Sequence, residues 1–289
     1  MPLEQSDELI TLRTRDACLD IAPQDGGALV GWSLSGLDVL RRRPAGRIDP
    51  LTSGCFPLAP FSNLITGGGF TFQGSFHPLA RNHPLEPEPI HGDAWLASWE
   101  VDTLRGNRAR LSYAHHADWG FPFRYRIAQD ILLQARSLRI GLQLTNVDHR
   151  AMPAGLGLHP YFLRMPGAQL QAVHQGRWED SRVVPGSRFV VAEPIGSQSL
   201  DVCYVGWSGT AHLASAALAI TIDASPSART LVVYAPESDD FVCIEPVTHV
   251  NDGFNAATDG ALDTGVRTLQ PGESMSLDVV ISVQLLGPL

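Results

Sequence analysis

The sequence is poor in positive charge. Lys and Arg number 21 against 30 Asp and Glu, leaving a net charge of −9 over 289 residues. Nucleic acids and anionic membrane surfaces select a basic face, so neither is expected as a partner. Neutral and cationic ligands suit this balance, whereas an anionic one needs a local arginine cluster. Cysteine is scarce as well: Cys18, Cys55, Cys203 and Cys243 stand far apart, with no CxxC pair. That spacing excludes a zinc ribbon and a dense disulfide framework, and it predicts buried free thiols in a reducing compartment. The acidic stretch Met1 to Glu8 does not lead into an apolar run, and no window approaches the ~20 apolar residues of a membrane span. A cytoplasmic location without membrane association is therefore expected. Nucleophile-elbow, phosphate-loop and dinucleotide-binding patterns are all missing. The run Gly67-Gly68-Gly69 joins no strand to a helix, so it is not read as a phosphate cradle.

Helical periodicity beyond two turns is also nearly absent, while turn residues and alternating strands abound. Glycine (27) and proline (21) punctuate the chain at short intervals. Leu138, Ile140, Leu142 and Leu144 alternate with polar residues, and Met275, Leu277, Val279, Ile281, Val283 and Leu285 fall on one face of the last strand. Strands are predicted at Leu9 to Thr14, Ala17 to Ile21, Ala28 to Leu34, Arg188 to Ala192, Leu218 to Asp223 and Phe241 to Ile244. A hairpin is predicted around Arg105-Gly106-Asn107, and Leu200 to Gly209 reads as a loop. The run Arg41-Arg42-Arg43 reads as a solvated face. These features predict an all-β protein, a large antiparallel β-sandwich forming a single domain over residues 1–289.

Polar residues at strand ends are the candidates for chemistry. His159 lies in Gly157-Leu158-His159-Pro160-Tyr161-Phe162, where the proline restricts the histidine to extended geometry and fixes the direction of the chain after it. The imidazole is either a core ring bonded to a backbone carbonyl or an oriented acid or base. Glu245 follows Phe241-Val242-Cys243-Ile244, an apolar run that would desolvate its carboxylate and raise its pKa toward that of a useful base. A strand-end Glu facing water is the alternative. His91 ends a proline-rich loop, Asp201 opens a segment of small and aromatic residues, and Trp95 is either a platform for a sugar face or a core residue. Spacing permits a zinc site from His91, His159 and Glu245, but no short metal-binding motif supports one, so no metal is expected.

Taken together and in order, these segments resemble the aldose 1-epimerase (galactose mutarotase-like) family. The matching stretches are Pro60-Phe61-Ser62-Asn63 leading to Gly69-Phe70, Ile90-His91-Gly92 with Trp95, the His159 motif, Leu200-Asp201 to Trp207, and Ile244-Glu245-Pro246 with Thr248. The tail Gly265 to Leu269 with Pro271-Gly272-Glu273 also matches, so the likeness spans almost the whole chain. The resemblance implies a β-sandwich with an open sugar-binding cleft and no cofactor. It implies that Glu245 takes the proton of the anomeric hydroxyl while His159 protonates the ring oxygen. His91, Asp201, Asn63 and Trp95 would then contact the sugar, a small-molecule aldose.

Two positions depart from the family pattern. An arginine usual after the first asparagine is Leu64 here, and a second arginine position is Gly69. Their loss argues against a phosphorylated sugar unless Arg81 or Arg124 compensates. It also keeps a second function in view, a carbohydrate-binding or sensing protein with weak or no turnover.

Overall fold

The computed structural model describes residues 9–286 apart from 46–48, 85, 119, 166, 186–192, 195–198, 238 and 259–262. Two large antiparallel sheets dominate it, and the strand expected at Arg188 to Ala192 lies outside the described residues. The larger sheet starts with the N-terminal meander from Ile10–Arg13 to Leu37–Leu40. It continues through Tyr161–Leu163, Phe241–Val247, Thr230–Ala235, Leu200–Val205 and Gly176–Glu179 to Arg182–Pro185. The second sheet is centred on Leu218–Ala224, Ser274–Leu285, Ser137–Asn146 and Tyr125–Leu133, with Glu100–Arg105 at one edge.

The alternation visible in the sequence sets this packing. Leu138, Ile140, Leu142 and Leu144 stand opposite Ile281, Val279, Leu277 and Met275, and all eight are buried on the same face. Removing each such side chain from water contributes about 1.5–3 kcal/mol, which drives the second sheet onto the first. The Arg105 hairpin forms as expected, with Gly106 at φ 58 between Glu100–Arg105 and Arg108–His115. Among the described residues the α-helical content is the short Gly253–Thr258. No helix among them is long and apolar enough to cross a membrane.

The segment read as a loop from Leu200 is instead the strand Leu200–Val205, and only the turn beyond it uses glycines in the left-handed region, Gly206 (φ 63) and Gly209 (φ 90). Asp201 and Cys203 obscured the pattern because they point away from the main core, while Leu200, Val202 and Tyr204 pack against it. Pairing with Thr230–Ala235 decides the matter over local preference. The arginine run is likewise split by the structure. Arg42 is exposed, but Arg43 is buried against Asp25 at 2.7 Å, and the Arg41 guanidinium stacks 3.9 Å from the centre of the Tyr161 ring. All three arginines have partners: Arg42 bonds Asp20 and Asp38 at the surface, while a carboxylate, carbonyls and a ring draw the other two inward.

Candidate active site

The register of the larger sheet builds the site. Gly157 pairs with Val247 and Tyr161 pairs with Cys243 on the same strand, so His159, midway between them, is set opposite Glu245. Pairing of Gly157 with Leu58 and Leu158 with Pro57 continues the row to Phe56, whose carbonyl accepts the His159 backbone N–H at 3.0 Å. His159 Nε2 comes to 3.4 Å from Glu245 Oε1, and both side chains are almost wholly enclosed, 7% and 3% exposed. Phe56 stacks on one side of the imidazole (centroids 4.8 Å) and Tyr161 on the other (4.6 Å). Aromatic contact, rather than a carboxylate on the second nitrogen, therefore fixes the ring plane: His159 Nδ1 has no hydrogen-bond partner, and neither has Glu245 Oε2.

Burial sets the protonation of this pair. It pushes the Glu245 carboxyl well above its usual range, helped by the nearby Asp201 charge. It also holds His159 well below the usual histidine value, with His91 and Arg41 acting in the same direction. Both shifts disfavour two separated charges, so enclosure favours a pair that shares one proton.

His91 meets the His159 ring edge-on at 5.2 Å between centroids. Its backbone has φ 60, and its Nδ1 accepts the Asn63 N–H at 3.1 Å, so a neutral ring carries its proton on Nε2 and presents a donor. Burial pushes its pKa down to about 3, so it stays neutral. The loop around it is clamped by Asn82, whose amide donates to the Ile90 and Gly92 carbonyls (2.7 Å each) and accepts from Ile90 N–H. Gly92 is obligatory here: a Cβ would lie 2.0 Å from the Ala59 carbonyl oxygen.

Asp201 sits on the same face of the sheet, across from Tyr234, which in turn pairs with Cys243. Asp201 is exposed, and the protein around its carboxyl raises its pKa. Asn63 is half-buried and turns its side-chain oxygen back to Leu64 N–H at 2.9 Å. Trp95 departs from the expected contact with sugar. It is 0% exposed, stacked on Phe56 at 5.3 Å, with its indole N–H donating to Gly92 O. No face is left for a ligand, so its role is to prop Phe56 and the His91 loop from behind.

The enclosed His159–Glu245 pair, ringed by His91 and Asp201, is carried by a sequence that matches the aldose 1-epimerase family over residues 8–282. The chain belongs to that family. YphB of Escherichia coli K12, an uncharacterized protein, is 29% identical, with 96% of this chain and 99% of YphB aligned. A crystal structure of a candidate aldose 1-epimerase from the same strain has a TM-score of 0.83 at 26% identity, covering 96% of this chain and 99% of that one. Galactose 1-epimerase from Lactobacillus acidophilus NCFM shares the fold, with a TM-score of 0.74 at 16% identity and coverage of 96% and 94%.

At Leu64 and Gly69, where the resemblance implies arginine, the structure shows what the residues present do. Leu64 bridges Ile90 and so ties the first motif to the His91 loop. A Cβ at Gly69 would lie 2.3 Å from the His77 carbonyl oxygen, so this backbone admits no side chain there. Of the two arginines that could have compensated, Arg81 is held within its own loop and Arg124 is half-exposed. Arg81 bonds the carbonyls of His83 and Pro84 in its own loop, and Arg124 lies 4.0 Å from Asp148. A surface hollow of about 590 Å³ on the second sheet offers no rival site, since Arg139 and Asp278 at 2.8 Å, and Arg110 and Asp130, already neutralise each other there.

Several residues of the site were not singled out from the sequence. Phe56 and Tyr161 sandwich His159. Arg41 supports Tyr161 from behind while donating to the Leu51 and Ser53 carbonyls. Thr248 bonds Leu156 through both its hydroxyl and its N–H, which pins the His159 segment to the Glu245 strand. Tyr161 and Thr248 stand inside the recognised motifs, so that signal was present; Arg41 and Phe56 carry none. The metal-capable grouping also differs from the one that spacing suggested. Candidate ligand atoms of His159, Cys243 and Glu245 lie within 4.8 Å of one another, with Cys243 in the place considered for His91.

Proposed function

We propose that this protein interconverts the α and β anomers of an aldose by acid–base ring opening. The observation that carries this reading is the 3.4 Å approach of His159 Nε2 to Glu245 Oε1. The anomeric hydroxyl and the ring oxygen of a cyclic sugar are bonded to one carbon, so a base for the first and an acid for the second must stand a few ångströms apart. Glu245 removes the O1 proton, the C1–O1 double bond forms, the C1–O5 bond breaks, and O5 takes its proton from His159 Nε2. Rotation about C1–C2 presents the other carbonyl face, and the reverse transfers close the ring as the opposite anomer.

Burial favours this direction. With the shared proton on His159, ring opening moves one proton from O1 to Glu245 and one from His159 to O5, leaving a carboxylic acid and a neutral imidazole, the forms that enclosure favours. His91, fixed as a neutral Nε2 donor, suits a sugar oxygen, and Asp201 at the exposed side suits a hydroxyl. With Arg81 bonded within its own loop and no side chain possible at Gly69, an unphosphorylated aldose fits better than a sugar phosphate. The unpaired cysteines fit a cytoplasmic setting.

Polarimetry on freshly dissolved α-glucose, α-galactose and a panel of other aldoses tests the reading. Faster approach to anomeric equilibrium, lost in Glu245→Gln, is the expected result. No acceleration with any aldose, or full activity in that variant, overturns it. Leu64 and Gly69 favour a second reading, a sugar-binding protein with little turnover, for which calorimetry would show binding without mutarotation.

A further inference from the structure

We propose that His159, Cys243 and Glu245 also form a binding site for a thiophilic divalent cation, zinc foremost, and that its occupancy blocks the sugar. The three side chains bring an imidazole nitrogen, a thiol sulfur and a carboxylate oxygen within 4.8 Å of one another. All three are buried, and Glu245 Oε2, nine-tenths enclosed and more, has no partner. Tetrahedral zinc holds such ligands roughly 3.3–3.6 Å apart, given bonds of about 2.0 Å to nitrogen and oxygen and about 2.3 Å to sulfur. The Nε2–Oε1 separation of 3.4 Å already meets that spacing. The thiol needs to close by at most about 1.3 Å, within reach of a side-chain rotation.

The donor set selects the ion. Thiolate with imidazole discriminates against magnesium and calcium, which require oxygen ligands. Three protein ligands leave a fourth position for water. Binding consumes the carboxylate that would take the O1 proton and the nitrogen that would serve O5, so cation and sugar compete. Cys203, which points to the same side but stands across the intervening Val232 from Glu245, is not a ligand.

The test uses the full chain after chelator treatment and reads metal binding without reference to activity. Titration with Co²⁺ is expected to give thiolate-to-cobalt absorption in the near ultraviolet, saturating at one ion per chain and abolished by added zinc. Cys243→Ser should lose the band and weaken cobalt binding about a hundredfold or more, whereas Cys203→Ser should keep both. Zinc should also protect the unsubstituted protein against thermal unfolding, which covers the case of a Cys243→Ser chain that fails to fold. Absence of the band in the unsubstituted protein, its survival in Cys243→Ser, or its loss in folded Cys203→Ser overturns the site. If no aldose is turned over, the cobalt spectrum still decides the matter. If mutarotation is found, zinc should raise the apparent KM and a chelator should restore it; inhibition that excess sugar does not relieve overturns the blocking.

Discussion

His159 and Glu245 meet because two pairs of neighbours on either side of them are in register, Gly157 with Val247 and Tyr161 with Cys243. The side chains share one face of the larger sheet, where the opposite face packs Phe162, Val242 and Ile244 into the main core. The fold thus supports the His159–Glu245 pair from behind with hydrophobic packing, and enclosure raises the pKa of one and lowers that of the other.

Glu245→Gln is expected to lower kcat by about 10²–10⁴-fold, the usual size of a general acid–base contribution. The melting temperature should stay level or rise slightly, because Glu245 Oε2 makes no hydrogen bond that the change could break. A large drop in stability would mean that the carboxylate is structural. Polarimetry and calorimetry on the same preparation distinguish the outcomes.

The pH–rate profile should show no inflection at the ordinary values of 4.5 for a glutamate or 6.5 for a histidine. Glu245 has a raised pKa and His159 a lowered one, so neither group titrates at its ordinary value and the pair keeps one shared proton between the two shifted values. Loss of activity is expected only on acidification far enough to add a second proton, or at alkaline pH when the shared one leaves. A step at pH 6.5 in kcat would contradict the enclosed neutral pair.

Gly92→Ala should destabilise the fold by at least about 1–3 kcal/mol, because φ is +70 and the new methyl would meet the Ala59 carbonyl. As Gly92 adjoins His91, KM for an active sugar should rise by more than kcat falls. Unchanged binding would show that the His91 loop does not position substrate.

His115 gives a separate pH lever on stability. Its Nδ1 is 2.7 Å from Asp93 Oδ2 and its Nε2 is 2.8 Å from the Phe121 carbonyl, while Asp93 also accepts the Tyr113 and Tyr125 hydroxyls. Burial opposes the charge, but Asp93 and the Phe121 carbonyl outweigh it and raise the pKa above 6.5. The stabilisation is therefore fully present below the unfolded value of 6.5 and lost as pH rises through the higher folded value. Thermal melts of the native chain and His115→Gln should differ most at acidic pH and converge as pH increases. A constant difference would show that His115 is neutral throughout.

The sequence by itself determined the strands and the chemistry on offer. Period-two patterns at Ser137–Asn146 and Ser274–Leu285 specify which residues face the core, since side chains alternate along any strand. The motifs around His159, Glu245 and His91 pointed to the proposed reactive groups because those groups lie in short local contexts of proline, glycine and apolar residues. Three matters were settled only in the tertiary structure. Asp201 belongs to a strand through its pairing with Tyr234, Trp95 is sealed behind Phe56, and Arg41 passes beneath Tyr161 rather than into water. Each depends on a partner distant in the chain, and local propensity carries no information about such partners. The 3.4 Å between His159 and Glu245 is of the same kind: register between distant strands sets it, and that register follows from how the whole sheet buries its apolar face.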